Sequence, residues 1–228
     1  MALSMAGRFI FIHIPKTGGE SVLESLSERK ADLWLNQHKQ YARPIVIFHP
    51  AFAKHKTLKE VERLIPEASR ASILAAVRNP FERIYSFYKH LQRWRYDSRF
   101  NNDLPRPQIA AAFASCYEFN DWIGFVFSSD FPSLEAARQT DPVDHFMPMS
   151  DFLATDYEAS RITTMRFENL TEDYKVWAAT NSISVLPLQY RNQSRGESRK
   201  YREVYGADGR AIVESFYKED LDRYEYEF

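Results

Sequence analysis

Residues 9–21 read Phe9-Ile10-Phe11-Ile12-His13-Ile14-Pro15-Lys16-Thr17-Gly18-Gly19-Glu20-Ser21, the part of the chain from which its fold class follows. The run from Phe9 to Ile14 is β-favouring and apolar except at His13, the pattern of a central strand covered on both faces. Pro15 to Gly19 break it, and a turn must follow. From Glu20 to Glu28, Val22, Leu23 and Leu26 fall at helical spacing. Strand, glycine-containing loop and helix in that order open α/β nucleotide-binding folds. The amides at the start of such a helix point outward and its dipole favours negative charge, so the loop is where an anion is expected.

Working outward, Ile45 to Phe48 reads as a second short buried strand, and Thr57 with Glu60 forms a capping box for the helix carrying Val61 and Leu64. Pro66 stops that helix. Ser72 to Val77 is a third strand, after which Asn79 caps, Pro80 takes the first helical position, Glu82 closes another capping box, and the helix runs to about Trp94. From about 96 to 141 the pattern loosens into short helical stretches such as Phe119 to Phe127, punctuated by Pro105, Pro107 and Pro132, which predicts a helical insertion beside the sheet. Arg161 to Phe167 returns to β character, Leu170 to Ala179 is helical, and Ala211 to Tyr217 gives a last amphipathic helix before an aromatic and acidic tail. Strands separated by helices predict a mainly parallel sheet flanked by helices, with the ligand beyond the carboxyl ends of the strands. At 228 residues, one domain spanning 1–228 is expected.

Composition narrows the partners. Thirty Lys and Arg against thirty-one Asp and Glu leave a formal net charge of -1, so no global field recruits nucleic acid or an anionic membrane. Any positive site must be local. The single cysteine, Cys116, excludes an intramolecular disulfide or a cysteine-rich zinc site and suits a reducing, cytoplasmic setting. No apolar run is long enough for a membrane span. The aromatic share of 15% is high, which a ring-lined site or a ring-rich core would each explain, and cores consume most rings.

In the loop, Lys16 can reach a bridging phosphate or sulfate oxygen, Gly18 and Gly19 permit close backbone approach, and the Thr17 and Ser21 hydroxyls can donate to remaining oxygens. Its lysine precedes the glycines, unlike the GxxxxGK[ST] of a Walker A loop, which weakens an ATPase reading. At the end of the third strand stands Arg78, whose planar fork suits a phosphate, with Ser86 about two turns into the next helix. Both are placed by sequence to meet one phosphate.

The loop around Lys16 resembles the 5′-phosphosulfate-binding loop of sulfotransferases that use 3′-phosphoadenosine 5′-phosphosulfate (PAPS), and Arg78 to Ser86 resembles their 3′-phosphate-binding motif. The PKTGG-type loop is most similar to the branch of carbohydrate sulfotransferases and heparan sulfate 2-O-sulfotransferase. Asp144 to Met149 is similar to the family's histidine-containing stretch, Met165 to Leu170 to its late strand, and Tyr217 to Leu221 with Tyr224 to Tyr226 to its C-terminal helix. Arg191 to Ser194 followed by Tyr201 is similar to the loop that closes over the cofactor. Glu20 stands where the family more often has threonine or a small residue, and Met149 where glutamine is common.

What the resemblance implies is a P-loop-like three-layer fold and a bacterial-type, cytoplasmic sulfotransferase with PAPS as donor, adenosine 3′,5′-bisphosphate (PAP) as product and no metal. It assigns Pro15, Lys16, Thr17, Gly18, Gly19, Glu20, Ser21, Arg78, Ser86, Asn192, Ser194 and Arg195 to the cofactor, and a hydroxyl or amine, expected on a sugar, to the acceptor. Lys16 is the expected stabiliser of the leaving group. His49, just after the second strand, lies where the family carries its catalytic histidine or glutamate; an imidazole of pKa about 6.5 accepts a proton at neutral pH without tuning. His55, Glu20 and His145 are runners-up. Two rival readings remain at this stage, a P-loop-like kinase and a non-catalytic nucleotide or glycan binder using the basic stretch Arg191, Arg195, Arg199, Lys200 and Arg202.

Overall fold

The computed structural model describes residues 2–4, 9–27, 46–47, 55–94, 105–129, 145–183, 187–189 and 200–228. They belong to two compact units, Met1–Arg78 with Met149–Asn192 and Asn79–Pro148 with Gln193–Phe228.

The first unit is built on a five-stranded sheet. Its elements are β1 (Ala2–Ser4), β2 (Phe9–Ile12), α1 (Gly19–Ser27), β3 (Val46–Ile47), α2 (Leu58–Leu64) and β4 (Ser72–Val77), and later in the chain β5 (Ile162–Arg166). Strand order is β3-β1-β2-β4-β5. β2 pairs parallel with β4 and β4 with β5, Phe11 standing opposite Leu74 and Ala76 opposite Met165. β1 pairs antiparallel with both β2 and β3. The parallel pairs are those expected; the antiparallel β1 is a finding, and it places β3 one strand away from β2.

Why β2 is apolar throughout follows from its place in the middle of the sheet. Phe9 and Phe11 face one way, toward Val22, Leu23 and Leu26 of α1 and toward Leu170, Tyr174 and Trp177 of a helix that runs Leu170–Thr180. Trp177 meets Phe9 edge-on, ring centroids 5.0 Å apart. Ile10 and Ile12, facing the other way, are equally buried, as are Ile73, Ala75 and Val77 of β4. Covering both faces of a mainly apolar sheet with helices is the α/β solution to burying parallel strands. α2 begins on the capping box: the Thr57 hydroxyl accepts from the Glu60 amide, and the Glu60 carboxylate accepts from the Thr57 amide at 2.8 Å. Burial opposes ionisation of Glu60, yet the hydrogen bonds from Thr57 and Lys56 outweigh it and hold the carboxyl below its usual range.

The second unit is helical. In chain order it comprises α3 (Pro80–Trp94), α4 (Pro105–Cys116) and α5 (Phe119–Val126), then, after α6 (Met149–Phe152) and α7 (Leu170–Thr180) of the first unit, α8 (Tyr201–Val204), α9 (Ala207–Phe216) and α10 (Lys218–Tyr224). Phe81, Ile84, Tyr85, Tyr88 and Leu91 repeat at three- and four-residue steps along α3, giving the apolar stripe on which Phe119, Trp122, Phe146, Val213 and Tyr217 pack. Polar atoms inside are satisfied by backbone carbonyls. Arg83, fully buried, donates to the carbonyls of His145 and Met147, Tyr217 to that of Phe146 at 2.6 Å, and Trp122 to that of Ala110. The high aromatic content of the sequence is thus largely consumed by this core. α4 and α5 lie within the segment read as an insertion, and they share one core with α3, α8 and α9.

Candidate functional site

The β2–α1 turn is shaped by two residues in the left-handed region, Lys16 at φ 66° and Gly18 at φ 84°. For lysine this conformation costs of order 1–3 kcal/mol and persists only where surroundings enforce it. Those surroundings are visible. The Thr17 side chain is fully buried and its hydroxyl donates to the Ile14 carbonyl at 2.9 Å, closing the turn from inside. The Ser21 amide donates to the Gly18 carbonyl at 3.1 Å, starting α1. Lys16 itself is half-buried and Glu20 exposed.

The two glycines serve a purpose the sequence did not reveal. A Cβ on Gly18 would lie 2.8 Å from Cδ2 of Phe167, and one on Gly19 only 2.2 Å from Cδ2 of His13. Both missing side chains therefore face protein, and the loop lies flat against two rings. His13, 2% exposed, packs beneath Gly19. His55 approaches the same place: its Nδ1 lies 2.8 Å from the His13 carbonyl, and the two rings are 4.4 Å apart. A carbonyl only accepts, so His55 Nδ1 carries the proton and Nε2 is the basic nitrogen of the neutral ring.

Arg78 ends the same sheet one strand over. Its side chain is 4% exposed, with Nη1 donating to the Lys16 carbonyl at 3.0 Å and Cζ lying 3.9 Å from the centroid of the Phe167 ring. Its own amide donates to Sδ of Met149, so the methionine that stands where glutamine is common supports the strand end. Lys16 and Arg78, separated by 62 positions, are joined through one hydrogen bond at the carboxyl ends of β2 and β4, the rim where ligands of open α/β sheets bind.

Ser86 lies on α3 in the second unit, half-buried, and His145 stacks on Phe87 there with centroids 4.8 Å apart. His49, Asn192, Ser194 and Arg195 lie outside the described residues. Among the described residues no group of three or more His, Cys, Asp or Glu is placed to hold a metal ion, and no helix is long and apolar enough to cross a membrane. An open cleft of about 840 Å³, lined by Phe113, Tyr117, Asp121, Phe125 and Asp208 among others, belongs wholly to the second unit and contains none of the expected site residues.

Sheet, flanking helices and loop together define a P-loop-like α/β protein. A family model described as the Sulfotransferase family matches residues 4–227, nearly the whole chain. The chain belongs to that family, which implies a transferase acting on sulfuryl groups. Compared with individually curated proteins, it matches none.

Proposed function

We propose that this chain transfers a sulfuryl group from PAPS to a hydroxyl or amine, and that 1–228 works as one sulfotransferase domain, as the reach of the family match supports. The observation that carries the reading is the 3.0 Å bond between the Arg78 guanidinium and the Lys16 carbonyl, which holds two basic residues of different strands at one rim. PAPS supplies an activated sulfuryl group whose departure leaves negative charge on the 5′-phosphate. Lys16, with the first amides of α1, is positioned to stabilise that charge in a partly desolvated site. Arg78, aided by Ser86, holds the 3′-phosphate, the group that separates this donor from ATP. Pro15, Thr17, Gly18, Gly19, Glu20 and Ser21 shape the loop around the phosphosulfate, and Asn192, Ser194 and Arg195 are further candidates for the nucleotide.

His49 is our candidate for the base that accepts the acceptor's proton. His55 is the second reading, favoured by the bond that fixes its Nδ1 proton on His13 and leaves Nε2 basic. The PKTGG loop's resemblance to the carbohydrate branch supports a sugar hydroxyl as acceptor, in a cytoplasmic setting that the single cysteine suits. The test is transfer of label from sulfur-labelled PAPS to separate pools of glycans, phenols and amines. Label is expected on glycans, lost in whichever of His49→Ala and His55→Ala removes the base. A protein that binds PAP yet labels no pool would contradict the catalytic reading.

A further inference from the structure

We propose that Phe167 is a positioning residue of this site, the spacer that sets where Arg78 lies relative to the β2–α1 loop. The proposal deepens the reading just given and rests on it for the identity of the ligand.

One ring touches both halves of the anion site. Its Cδ2 edge lies so near Gly18 that a Cβ there would stand 2.8 Å away, and its face carries the Arg78 guanidinium at 3.9 Å. The guanidinium in turn grips the Lys16 carbonyl. Loop, ring and arginine therefore form a closed circuit of contacts, in which the ring's thickness fixes how far the guanidinium stands from the loop. The mount is rigid. Phe167 follows β5, and the carboxylate of Asp173, in the first turn of α7, accepts from the Arg166 amide and from the Asn169 side-chain amide, each at 2.7 Å. Both neighbours of the Phe167–Glu168 pair are thus pinned to one group.

A ring that merely filled space could be replaced by any side chain of similar volume. This one presents its negative π-face to a cation, an interaction that only another aromatic reproduces. Truncating it removes both the face and the spacer, so the guanidinium swings from the position that suits a phosphate.

The test uses the full-length protein and PAP as the probe in calorimetry, with PAPS for kinetics. Phe167→Leu is expected to weaken PAP about tenfold and raise KM for PAPS similarly, with kcat changed less than about threefold. Phe167→Tyr should restore wild-type affinity. In the Arg78→Ala background, Phe167→Leu should add little, because the ring acts through the arginine. Affinity of Phe167→Leu within twofold of wild type, or losses that add fully in the double variant, would overturn the proposal. Should Phe167→Leu fail to fold, Phe167→Met serves in its place. A readout independent of nucleotide comes from the Nε–H resonance of Arg78, assigned by its loss in Arg78→Ala. It should be ring-shifted in the wild type and in Phe167→Tyr but not in Phe167→Leu. If wild-type protein bound no PAP, the donor assignment would fall, while this resonance would still decide the positioning role: an unshifted signal in the wild type would refute it.

Discussion

The β2–α1 and β4–α3 junctions both carry the chain from a strand into a helix, and they are made of opposite materials. At the first, the turn is made mainly by the backbone: Lys16 and Gly18 are left-handed, Gly18 lies on Phe167 and Gly19 on His13, and the Thr17 side chain ties the turn, its hydroxyl donating to the Ile14 carbonyl. At the second, side chains do the work. The Asn79 Oδ1 accepts from the Phe81 amide at 3.0 Å, Pro80 brings no amide at all, and the Arg83 amide is taken by the Asn79 carbonyl. The start of α3 is therefore closed by its own cap, whereas α1 follows Gly18, a residue with no side chain to cap with. A phosphate group at the first junction can be met by backbone as well as lysine; at the second, recognition falls to the charge of Arg78.

Substitutions at four positions probe that contrast, each with a smaller effect than the one before. Lys16→Ala should lower kcat about 100- to 1000-fold, the cost of losing one transition-state donor, while PAP affinity changes only a few-fold because the loop backbone remains. Equal, small changes in both quantities would deny Lys16 its special place. Gly19→Ala drives a methyl into the buried His13 ring and should destabilise by about 1–3 kcal/mol, seen as a melting temperature roughly 2–12 °C lower for a chain of this size. An unchanged melt would mean that the loop does not lie on His13. Asn79→Ala removes a cap and also the 2.7 Å bond from its Nδ2 to the Glu227 carbonyl, for a loss of about 1 kcal/mol in denaturant unfolding. A loss as large as that from Gly19→Ala would erase the distinction between the junctions.

The smallest effect at neutral pH belongs to the second unit. Burial pushes the Tyr224 hydroxyl up to about 12, and burial likewise holds Tyr205 well above the ordinary tyrosine range. Between the ordinary value near 10 and the raised one, the unfolded chain releases protons that the folded chain retains, so stability is full below pH 10 and falls as pH rises toward 12. Tyr224→Phe should leave the pH 7 stability nearly unchanged and flatten part of that alkaline loss in urea unfolding. An alkaline limb identical to wild type would show that the hydroxyl titrates normally.

How much of this was legible beforehand depended on the range over which each feature is determined. β2 and β4 announce themselves because a strand buried on both faces must be apolar residue by residue, and α3 because its stripe, cap and proline are all local. β1 was missed, since three residues carry no period, and its antiparallel pairings are set by partners rather than by its own sequence. The glycines of the loop were recognised for close backbone approach; that their Cβ positions would also strike His13 and Phe167 was not legible, because those contacts are set by the fold. His13 read only as an interruption in an apolar run. Phe167 read only as the end of a strand, because its significance lies in contacts with residues far earlier in the chain. Arg78 was legible as a basic residue at a strand end; that it also grips the Lys16 carbonyl was not, for no local pattern encodes a hydrogen bond across 62 positions.

Lys16 and Arg78 are proposed to serve the two phosphorylated ends of one adenosine nucleotide, and calorimetric titration of wild type and Arg78→Ala with PAP, ADP and ATP decides whether they do. Wild type should bind PAP at least about tenfold more tightly than ADP or ATP, and Arg78→Ala should abolish this preference. Equal or tighter binding of ATP, or a preference for PAP that survives the loss of Arg78, would contradict that assignment.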